Sequence, residues 1–304
     1  MKLYAAPLQG FTEAPWRNFH QEIFGGIDTY YTPFVRIERG EFRHRDVRDI
    51  TPGNNTVPHV IPQLIASTPA ELELLAGLFI EKGYKEADIN MGCPFPLIAG
   101  KHKGSGILPY PAEVEALLKE LEQYPELKFS VKMRLGWASA DEWRALLPLL
   151  NAAPLQRITL HPRIGKQQYK GVVDGASFAD FYQECRHPLV YNGDLLTMED
   201  IRKLEESFPR LEGVMLGRGL LANPALALEY STGVALSQKD LYSKVKVLHA
   251  RLLQYYEAHL QGEAQLLAKM KPYWEYLLPD LDRKQKKAIK KATNMDKYLT
   301  AVNF

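Results

Sequence analysis

The segment Asn90–Pro94 places a thiol where chemistry is possible. Cys93 follows a short apolar run, Pro94 ends that run, and a loop rich in Gly and Lys comes next at 100–106. A buried, inert thiol is the ordinary fate of a cysteine. On a loop at an active face, a thiol with an ordinary pKa of about 8.5 is protonated at neutral pH and can donate a proton to a substrate carbon. The same thiol could act as a nucleophile, although no base partner is evident.

Two further side chains, Lys132 and His161, each belong to a predicted strand of the chain. They would supply a cation and a hydrogen-bond donor beside a planar, electron-accepting ligand such as a flavin ring, whose negative charge they would stabilise. Two other interpretations stay open. The pair could be ion-paired inside the protein, and a desolvated Lys132 could form a Schiff base.

Two glycine-containing segments, Asn192–Asp194 and Gly217–Gly219, are candidates for binding phosphate. Glycine lets backbone N–H groups approach an anion closely, and Arg218 adds a fixed fork of donors that matches phosphate oxygens. Asp194 fits a helix cap or an orienting group better than a phosphate contact. A Gly-flanked arginine on its own is more often part of a turn, so this signal depends on its place in the fold.

These residues lie in a chain that alternates between short β-rich runs and longer segments with helical spacing, which predicts βαβ units and a parallel sheet. Eight strands are predicted, at Lys2–Pro7, Asp28–Val35, His59–Ile65, Glu86–Gly92, Phe129–Leu135, Arg157–His161, Pro188–Asn192 and Gly213–Leu216. Helices are predicted between them, at Ala14–Ile23, Pro69–Lys82, Pro111–Gln123, Ala140–Leu150, Ser177–Arg186 and Thr197–Ser207. The charged segment 36–58 is predicted to be a loop.

Eight strands in about 230 residues predict a (β/α)₈ TIM barrel, whose active site lies at the carboxyl ends of its strands. Polar residues occur at or just beyond almost every predicted strand end. They are Gln9, Arg36, Gln63, Asn90 with Cys93, Lys132 with Arg134, His161 with Arg163, Asn192 with Asp194, and Arg218. Any one of them could simply solubilise a strand end, but their joint occurrence favours a site.

A small C-terminal helical domain is predicted to follow the barrel, with the boundary giving domains 1–234 and 235–304. A long amphipathic helix begins near Ser237 and ends at Gly262, a second carries Pro272 as a kink or a start, and a third covers 282–293. Residues 239–304 hold 13 Lys and Arg against 7 Asp and Glu, a net charge of +6, whereas the whole chain of 304 residues has +2. A basic appendage therefore joins an acidic body.

The composition narrows the class of protein further. With 46% hydrophobic and 24% charged residues, the chain is globular, and two cysteines without CxxC spacing argue against a disulfide framework or a thiolate metal site. No metal is expected. Neither a secretory signal nor an apolar run long enough to span a bilayer is present, which favours the cytoplasm. Without an extended apolar stripe, a monomer is expected.

At these residues the sequence resembles the tRNA-dihydrouridine synthase family, flavoenzymes that reduce a uracil base in tRNA. The resemblance is carried by Ala6–Gly10, Pro62–Leu64, Asn90–Pro94, Lys132–Gly136, His161–Arg163, Gln167, Tyr169, Gly171, Asn192–Asp194 and Gly217–Gly219. The chain departs from many members at Pro162, at Phe178, and at 96–98, where relatives are usually more basic.

The resemblance implies FMN as cofactor and NADPH as its reductant. FMN would be bound by Pro7, Leu8, Gln9, Gln63, Lys132, His161, Asn192, Gly193, Asp194, Gly217 and Arg218. Hydride would pass from flavin N5 to C6 of the uracil while Cys93 protonates C5. Asn90 would hold the base edge.

The tRNA would be gripped by basic side chains at the barrel mouth and on the third C-terminal helix. The expected substrate-binding residues are Asn90, Arg36, Lys101, Arg134, Arg163, Lys286, Lys287 and Lys290. A charge run by itself is usually only a solvated face. Three other functions remain open: an FMN barrel acting on a free pyrimidine or another small molecule, a lysine-based lyase using Lys132, and a catalytically silent RNA-binding protein.

Overall fold

The structure is a computed structural model that describes residues 1–303. Its strands are β1 (Lys2–Ala5), β2 (Thr29–Tyr31), β3 (Ile37–Glu38), β4 (Glu41–Phe42), β5 (Val60–Ile61), β6 (Gln63–Leu64), β7 (Glu86–Met91), β8 (Lys128–Gly136), β9 (Leu155–Ile164), β10 (Leu189–Tyr191) and β11 (Gly213–Leu216).

Fourteen α-helices lie among residues 1–303. They are α1 (Ala14–Ile23), α2 (His44–Ile50), α3 (Pro69–Glu81), α4 (Pro96–Ala99), α5 (Pro111–Glu120), α6 (Glu142–Ala152), α7 (Gly175–Glu184), α8 (Met198–Ser207), α9 (Arg218–Ala222), α10 (Leu226–Thr232), α11 (Gln238–His259), α12 (Gly262–Met270), α13 (Arg283–Lys291) and α14 (Met295–Val302). Short 3₁₀ turns occupy Pro52–Asn54, Gly104–Ile107, Leu121–Gln123, Gly165–Gln167 and Lys271–Glu275.

Nine of the strands form one parallel sheet that closes into a barrel. Their order is β5-β2-β1-β11-β10-β9-β8-β7-β6. The two ends of this order, β5 and β6, are halves of a single strand on either side of Pro62, which has no N–H to donate to the ladder. Counted as one, they give the eight strands of a (β/α)₈ barrel, as the sequence predicted.

The barrel encloses a small apolar core of its own. Tyr4, Tyr31, Ile61, Val190 and Met215 form a cluster drawn from five strands and separate from the larger cluster under the helices. Near the amino ends of the strands, Arg157 forms salt bridges with Glu86 and Glu212. The filled interior leaves the opposite, carboxyl face for a binding site.

The prediction of a loop over 36–58 was wrong. This segment forms the β3–β4 hairpin, helix α2 and a 3₁₀ turn. Ile50 of α2 is fully buried, and Ile37 pairs with Phe42 across the hairpin. The many charged and turn-forming residues of this segment masked its short apolar pattern.

The C-terminal helices also differ from the prediction. Gly262 begins α12 and does not end α11, Pro272 lies in a 3₁₀ turn, and α14 was not predicted.

The C-terminal helices pack directly against the barrel. Helix α11 contacts α1, where Lys244 donates a hydrogen bond to the carbonyl of Ile23. The Tyr273 hydroxyl donates to the carbonyl of Phe11, in the loop after β1. The large apolar cluster continues through buried residues of these helices, such as Leu248. Within residues 1–303, no helix is long and apolar enough to cross a membrane.

The chain that leads into β2 approaches the backbone of α10 closely at Gly26. Its φ is +80°, and a Cβ there would lie 2.6 Å from the backbone nitrogen of Leu228. We expect Gly26→Ala to lower the free energy of unfolding by about 2 kcal/mol or more, because it combines left-handed strain with a backbone clash. Urea denaturation measures this effect.

Gly25→Ala is the matched control, because Gly25 also has a positive φ of +68° but its Cβ would meet only one atom, at 3.7 Å. We expect it to cost about 1 kcal/mol. Equal losses from the two substitutions would show that the contact with Leu228 is unimportant.

Candidate active site at the mouth of the barrel

One cavity at the carboxyl ends of the strands brings together most of the predicted site residues. Cys93, Lys132 and Arg218, which come from three different strand ends, line the same space. Its other predicted lining residues are Pro7, Leu8, Gln9, Asn90, Arg134, His161, Asn192, Gly193, Asp194 and Gly217. The thiol, the ammonium group and the candidate phosphate-binding residues therefore line one shared cavity.

Cys93 is held in place by hydrogen bonds to its backbone. Its N–H, like that of Gly92, donates to the Oδ1 atom of Asn90, at 2.8 Å. Its carbonyl accepts hydrogen bonds from both the N–H and the hydroxyl of Ser105. The returning chain passes so close that a Cβ on Gly104 would lie 2.7 Å from the Cys93 carbonyl oxygen. The thiol thus has a fixed position over the barrel.

A buried chain of polar side chains fixes Asn90 in turn. Its amide donates to Gln63 Oε1 at 2.8 Å, and Gln63 donates to Asp88 Oδ2 at 2.7 Å. The Ser130 hydroxyl donates to the other oxygen of Asp88, at 2.6 Å. The chain crosses β6, β7 and β8. In a fully packed interior such bonds are costly to break, because each partner would be left unpaired.

The environment keeps the Cys93 thiol protonated. Burial raises its pKa above the ordinary value, and this effect exceeds the opposing influence of the Phe95 N–H and of the cations Arg134, Lys132 and Arg36. A protonated thiol near neutral pH is a proton donor rather than a nucleophile.

Lys132 is a largely buried cation with no protein partner for its ammonium group among residues 1–303. Burial and the like charge of Arg134 lower its pKa to about 8, against the attraction of Asp88. An ammonium group removed from water without an ion pair is unfavourable on its own. The cavity therefore suits an anionic or electron-rich ligand.

His161 is a neutral imidazole. Burial and the surrounding positive charges of Arg134, Lys132 and Arg163 hold its pKa well below the usual value. Its Nε2 lies 3.1 Å from Nη1 of Arg163. Because a guanidinium group only donates, Nε2 must accept, and the ring proton is on Nδ1. That N–H is the donor that His161 can offer to a ligand.

Asp194 orients the arginines on this side of the cavity. Its carboxylate accepts hydrogen bonds from Arg218 at 2.7 Å and from both terminal nitrogens of Arg163. Arg163 also donates to the carbonyl of Gly171. Asp194 does not cap α8, whose N-terminal cap is Thr197. It therefore acts as the orienting group that the sequence suggested, and Arg218 keeps its remaining donors for a ligand.

Tyr169 and Arg134 form the wall beside Cys93. Arg134, in β8, donates to the carbonyl oxygens of Gly92, Ile164 and Gln168, so it ties β8 to the chain after β7 and at the end of β9. The guanidinium groups of Arg134 and Arg218 lie 5.5 and 4.9 Å from the centre of the Tyr169 ring. Such cation–π contacts fix a ring that is still 46% exposed.

Several predicted residues lie outside the cavity lining. Gln63 is buried beneath it, and Arg163 is 1% exposed and bonded to protein atoms. Arg36 forms a salt bridge with Glu38 in the β3–β4 hairpin. Lys101 is exposed on the loop after Cys93. On α13, Lys287 and Lys290 are exposed, and Lys286 donates to the carbonyl of Pro279.

Sequence reasoning missed the residues that support the site. Asp88 and Ser130 lie inside strands, and Ser105 lies on the returning loop. The sequence does carry a signal for Asp88. Its carboxyl group lies within the mostly apolar segment Ala87–Met91, so it needs hydrogen-bond partners inside the barrel. The pairing of Ser105 with Cys93 depends on loop geometry and has no such signal.

The comparison with known sequences identifies the family. The family described as Dihydrouridine synthase (Dus) matches residues 4–302. The probable tRNA-dihydrouridine synthase 2 of Bacillus subtilis (strain 168) is 30% identical over 229 residues, which cover 72% of this chain and 69% of that protein. The tRNA-dihydrouridine synthase B of Escherichia coli (strain K12) is 26% identical over 312 residues, covering 99% and 95%.

Solved structures show the same fold. Morphinone reductase in complex with tetrahydroNAD aligns with a TM-score of 0.54 at 10% identity, covering 79% of this chain and 90% of that one. The old yellow enzyme homologue from Zymomonas mobilis aligns with a TM-score of 0.55 at 10% identity, covering 79% and 92%. Together with the family match, the barrel-mouth cavity shows that this chain belongs to the dihydrouridine synthase family of flavin-dependent oxidoreductases, which reduce the C5–C6 double bond of uridine.

Proposed function

We propose that this chain reduces a specific uridine of tRNA, with FMN in the barrel mouth, NADPH as reductant and Cys93 as the proton donor. The observation that carries the proposal is the shared cavity in which the protonated Cys93 thiol faces the unpaired Lys132 ammonium group. The two curated relatives are named for tRNA, which supports tRNA as the substrate.

The residues present fit FMN. Lys132 needs an electron-rich partner, and His161 has a free Nδ1–H. The loops after β10 and β11 supply Gly193, Gly217 and Arg218 to the same cavity. In our proposal the two cationic or donor side chains hold the ring, and Asn192–Asp194 with Gly217 and Arg218 hold the phosphate group.

Each side chain then has a defined part in base reduction. FMN bound by these residues and reduced by NADPH would supply the hydride for C6 of the uracil. The Cys93 thiol gives its proton to C5, on which negative charge develops. Asn90 fixes the Cys93 backbone and keeps one N–H for the base edge. Arg134, beside Tyr169, supplies positive charge next to the base.

The RNA is held outside the barrel by exposed basic side chains. We assign this role to Lys101 near Cys93 and to Lys287 and Lys290 on α13, which carry no salt bridge among residues 1–303. Lys286, half-buried, and Arg36 would supply longer-range positive charge. A base within folded RNA has to leave its stack to reach the cavity, so a separate gripping surface is needed.

The domain division 1–234 and 235–304 is part of this proposal, with the barrel as the catalytic unit and the C-terminal helices as the tRNA-binding unit. We also propose a cytoplasmic monomer. The net charge of +6 on residues 239–304 and two free cysteines support that division of labour and a reducing compartment.

The proton-donor role of Cys93 predicts the behaviour of Cys93→Ala. The variant should bind FMN normally, since none of the proposed FMN-binding residues hydrogen-bonds to the thiol, but should form dihydrouridine at least about 100-fold more slowly. Absorbance at the flavin bands and quantification of dihydrouridine in tRNA measure the two properties. Cys185→Ala, at the other free and buried cysteine, is the control and should keep full activity. Normal turnover by Cys93→Ala would remove the proton-donor role.

Lys132 predicts a pH dependence of cofactor binding. Its pKa of about 8 means that the ammonium form, which favours the flavin ring, is present below that pH and is lost above it. FMN binding by the apoprotein should therefore weaken about tenfold between pH 7 and pH 9. Fluorescence titration of FMN measures it. Lys132→Met should bind FMN more weakly with no such slope, and an unchanged slope in this variant would contradict the assignment.

The α13 lysines predict the salt dependence of tRNA binding. Lys287→Ala combined with Lys290→Ala should weaken tRNA binding and reduce the slope of log K against log salt concentration by about 2, because each lysine neutralises about one phosphate. Filter binding at several salt concentrations measures the slope. The control replaces Lys119 and Lys203, exposed barrel lysines paired with Glu115 and Glu199. Equal slopes in both double variants would exclude α13 as the RNA contact.

A further inference from the structure

We infer that Phe95 and Leu97, on the loop that follows Cys93, form an apolar wedge that occupies the gap left in the RNA stack when the target uridine enters the cavity. The inference rests on the proposed function and adds positioning residues to it. Phe95 and Leu97 would contact the bases that flank the target nucleotide. They would act on the step that presents the base and not on the chemical step itself.

The first observation is the exposure of large apolar side chains in the loops at the carboxyl ends of the strands. Phe95 is 55% exposed and Leu97 is 73% exposed. Of ten large hydrophobic residues that are exposed among residues 1–303, six lie in the loops that follow β7, β9 and β10 on the catalytic face: Phe95, Leu97, Tyr110, Tyr169, Val172 and Leu196. Apolar side chains scattered singly need no explanation, but a concentration at one site marks an interaction surface.

The second observation is that the loop carrying the pair is rigidly anchored. Ile98, next to Leu97, is buried against Phe34 and Ile65. Lys103 pairs with Glu71 at 2.5 Å. His102 Nδ1 donates to the Glu113 carboxylate, and the His102 ring stacks on Tyr110, with ring centres 3.8 Å apart. These contacts hold the loop in place, so that the Phe95 and Leu97 side chains stay exposed to solvent.

The third observation links the wedge to the reacting thiol. The Phe95 N–H is directed at the Cys93 sulfur, where it opposes the rise in the pKa of the thiol. Across the cavity, Tyr169 and Leu196 line the wall, with Arg134 and Arg218 stacked on Tyr169. The loop that carries Phe95 and Leu97 also carries the exposed Lys101. Apolar side chains beside an exposed cation match unstacked bases on a phosphate backbone better than they match an apolar protein surface. The occupant is thus the RNA strand on either side of the target uridine.

The physical benefit is the exchange of one stacking partner for another. Taking a base out of its stack exposes the faces of its two neighbours, and an inserted apolar side chain restores contact with them. Folded tRNA needs this compensation. A short single-stranded oligonucleotide needs little of it, because its bases are only weakly stacked.

Single-turnover reduction of two substrates tests the wedge. We would compare folded tRNA with a short unstructured RNA that contains uridine, using the holoenzyme and its Phe95→Ala/Leu97→Ala variant. The rate on folded tRNA should fall at least about tenfold in the variant, while the rate on the short RNA stays within about twofold. Phe95→Tyr should retain the rate on tRNA. Leu74→Ala, at an exposed apolar position on the barrel helix α3, is the control and should change neither rate.

The possible failures are distinguishable from one another. If the wild-type protein forms no dihydrouridine on tRNA, the proposed function itself fails. If the double variant loses both rates equally, the pair only shapes the loop around Cys93, and if it loses neither, the wedge does not exist. Sedimentation tests for one further failure. If the wild-type protein is a dimer and the double variant is a monomer, Phe95 and Leu97 bind a second copy of the chain, and the inference is overturned.

Discussion

The removal of positive charge from water at the barrel mouth is the constraint on which the site depends. Lys132 lies there with no partner of its own, and burial lowers its pKa and keeps His161 neutral. Two carboxylates of the site are already hydrogen-bonded, Asp194 to two arginines and Asp88 to Gln63 and Ser130. Asp88 attracts Lys132 but does not form a salt bridge with it, so the cavity fits an electron-rich ligand with a phosphate group.

The same buried environment sets the chemistry of Cys93. Burial keeps the thiol protonated, and the polar chain from Ser130 through Asp88, Gln63 and Asn90 fixes its backbone. Catalysis by positioned groups depends on such rigidity, since a proton donor has to stand at the carbon that it protonates. The barrel supplies that rigidity, and the loop over Cys93 adds a surface that reaches the RNA outside.

Much of the fold and of the site could be predicted from the sequence. The eight strands were predicted because buried parallel strands are continuous apolar runs, and the strand-end rule then brought Cys93, Lys132, His161 and Arg218 to one face. The α2 region was mispredicted because its burial rests on a few apolar residues within a charged segment.

What the sequence could not supply was how neighbouring side chains share their hydrogen bonds. Gln63 and Arg163 follow the strand-end rule, yet the structure shows them bonded to protein partners below the cavity lining. Ser105 contacts Cys93 only because the loop turns back at Gly104. These pairings depend on three-dimensional distances of a few ångströms, which periodicity and spacing do not encode.

The most direct test of the central claim is a map of dihydrouridine in the tRNA of a bacterial strain that lacks its own dihydrouridine synthases and expresses this chain. The account predicts that dihydrouridine returns at a defined position with the wild-type chain and is absent with Cys93→Ala. Its absence with a wild-type chain that is folded and loaded with FMN, or its full return with the variant, would contradict the account.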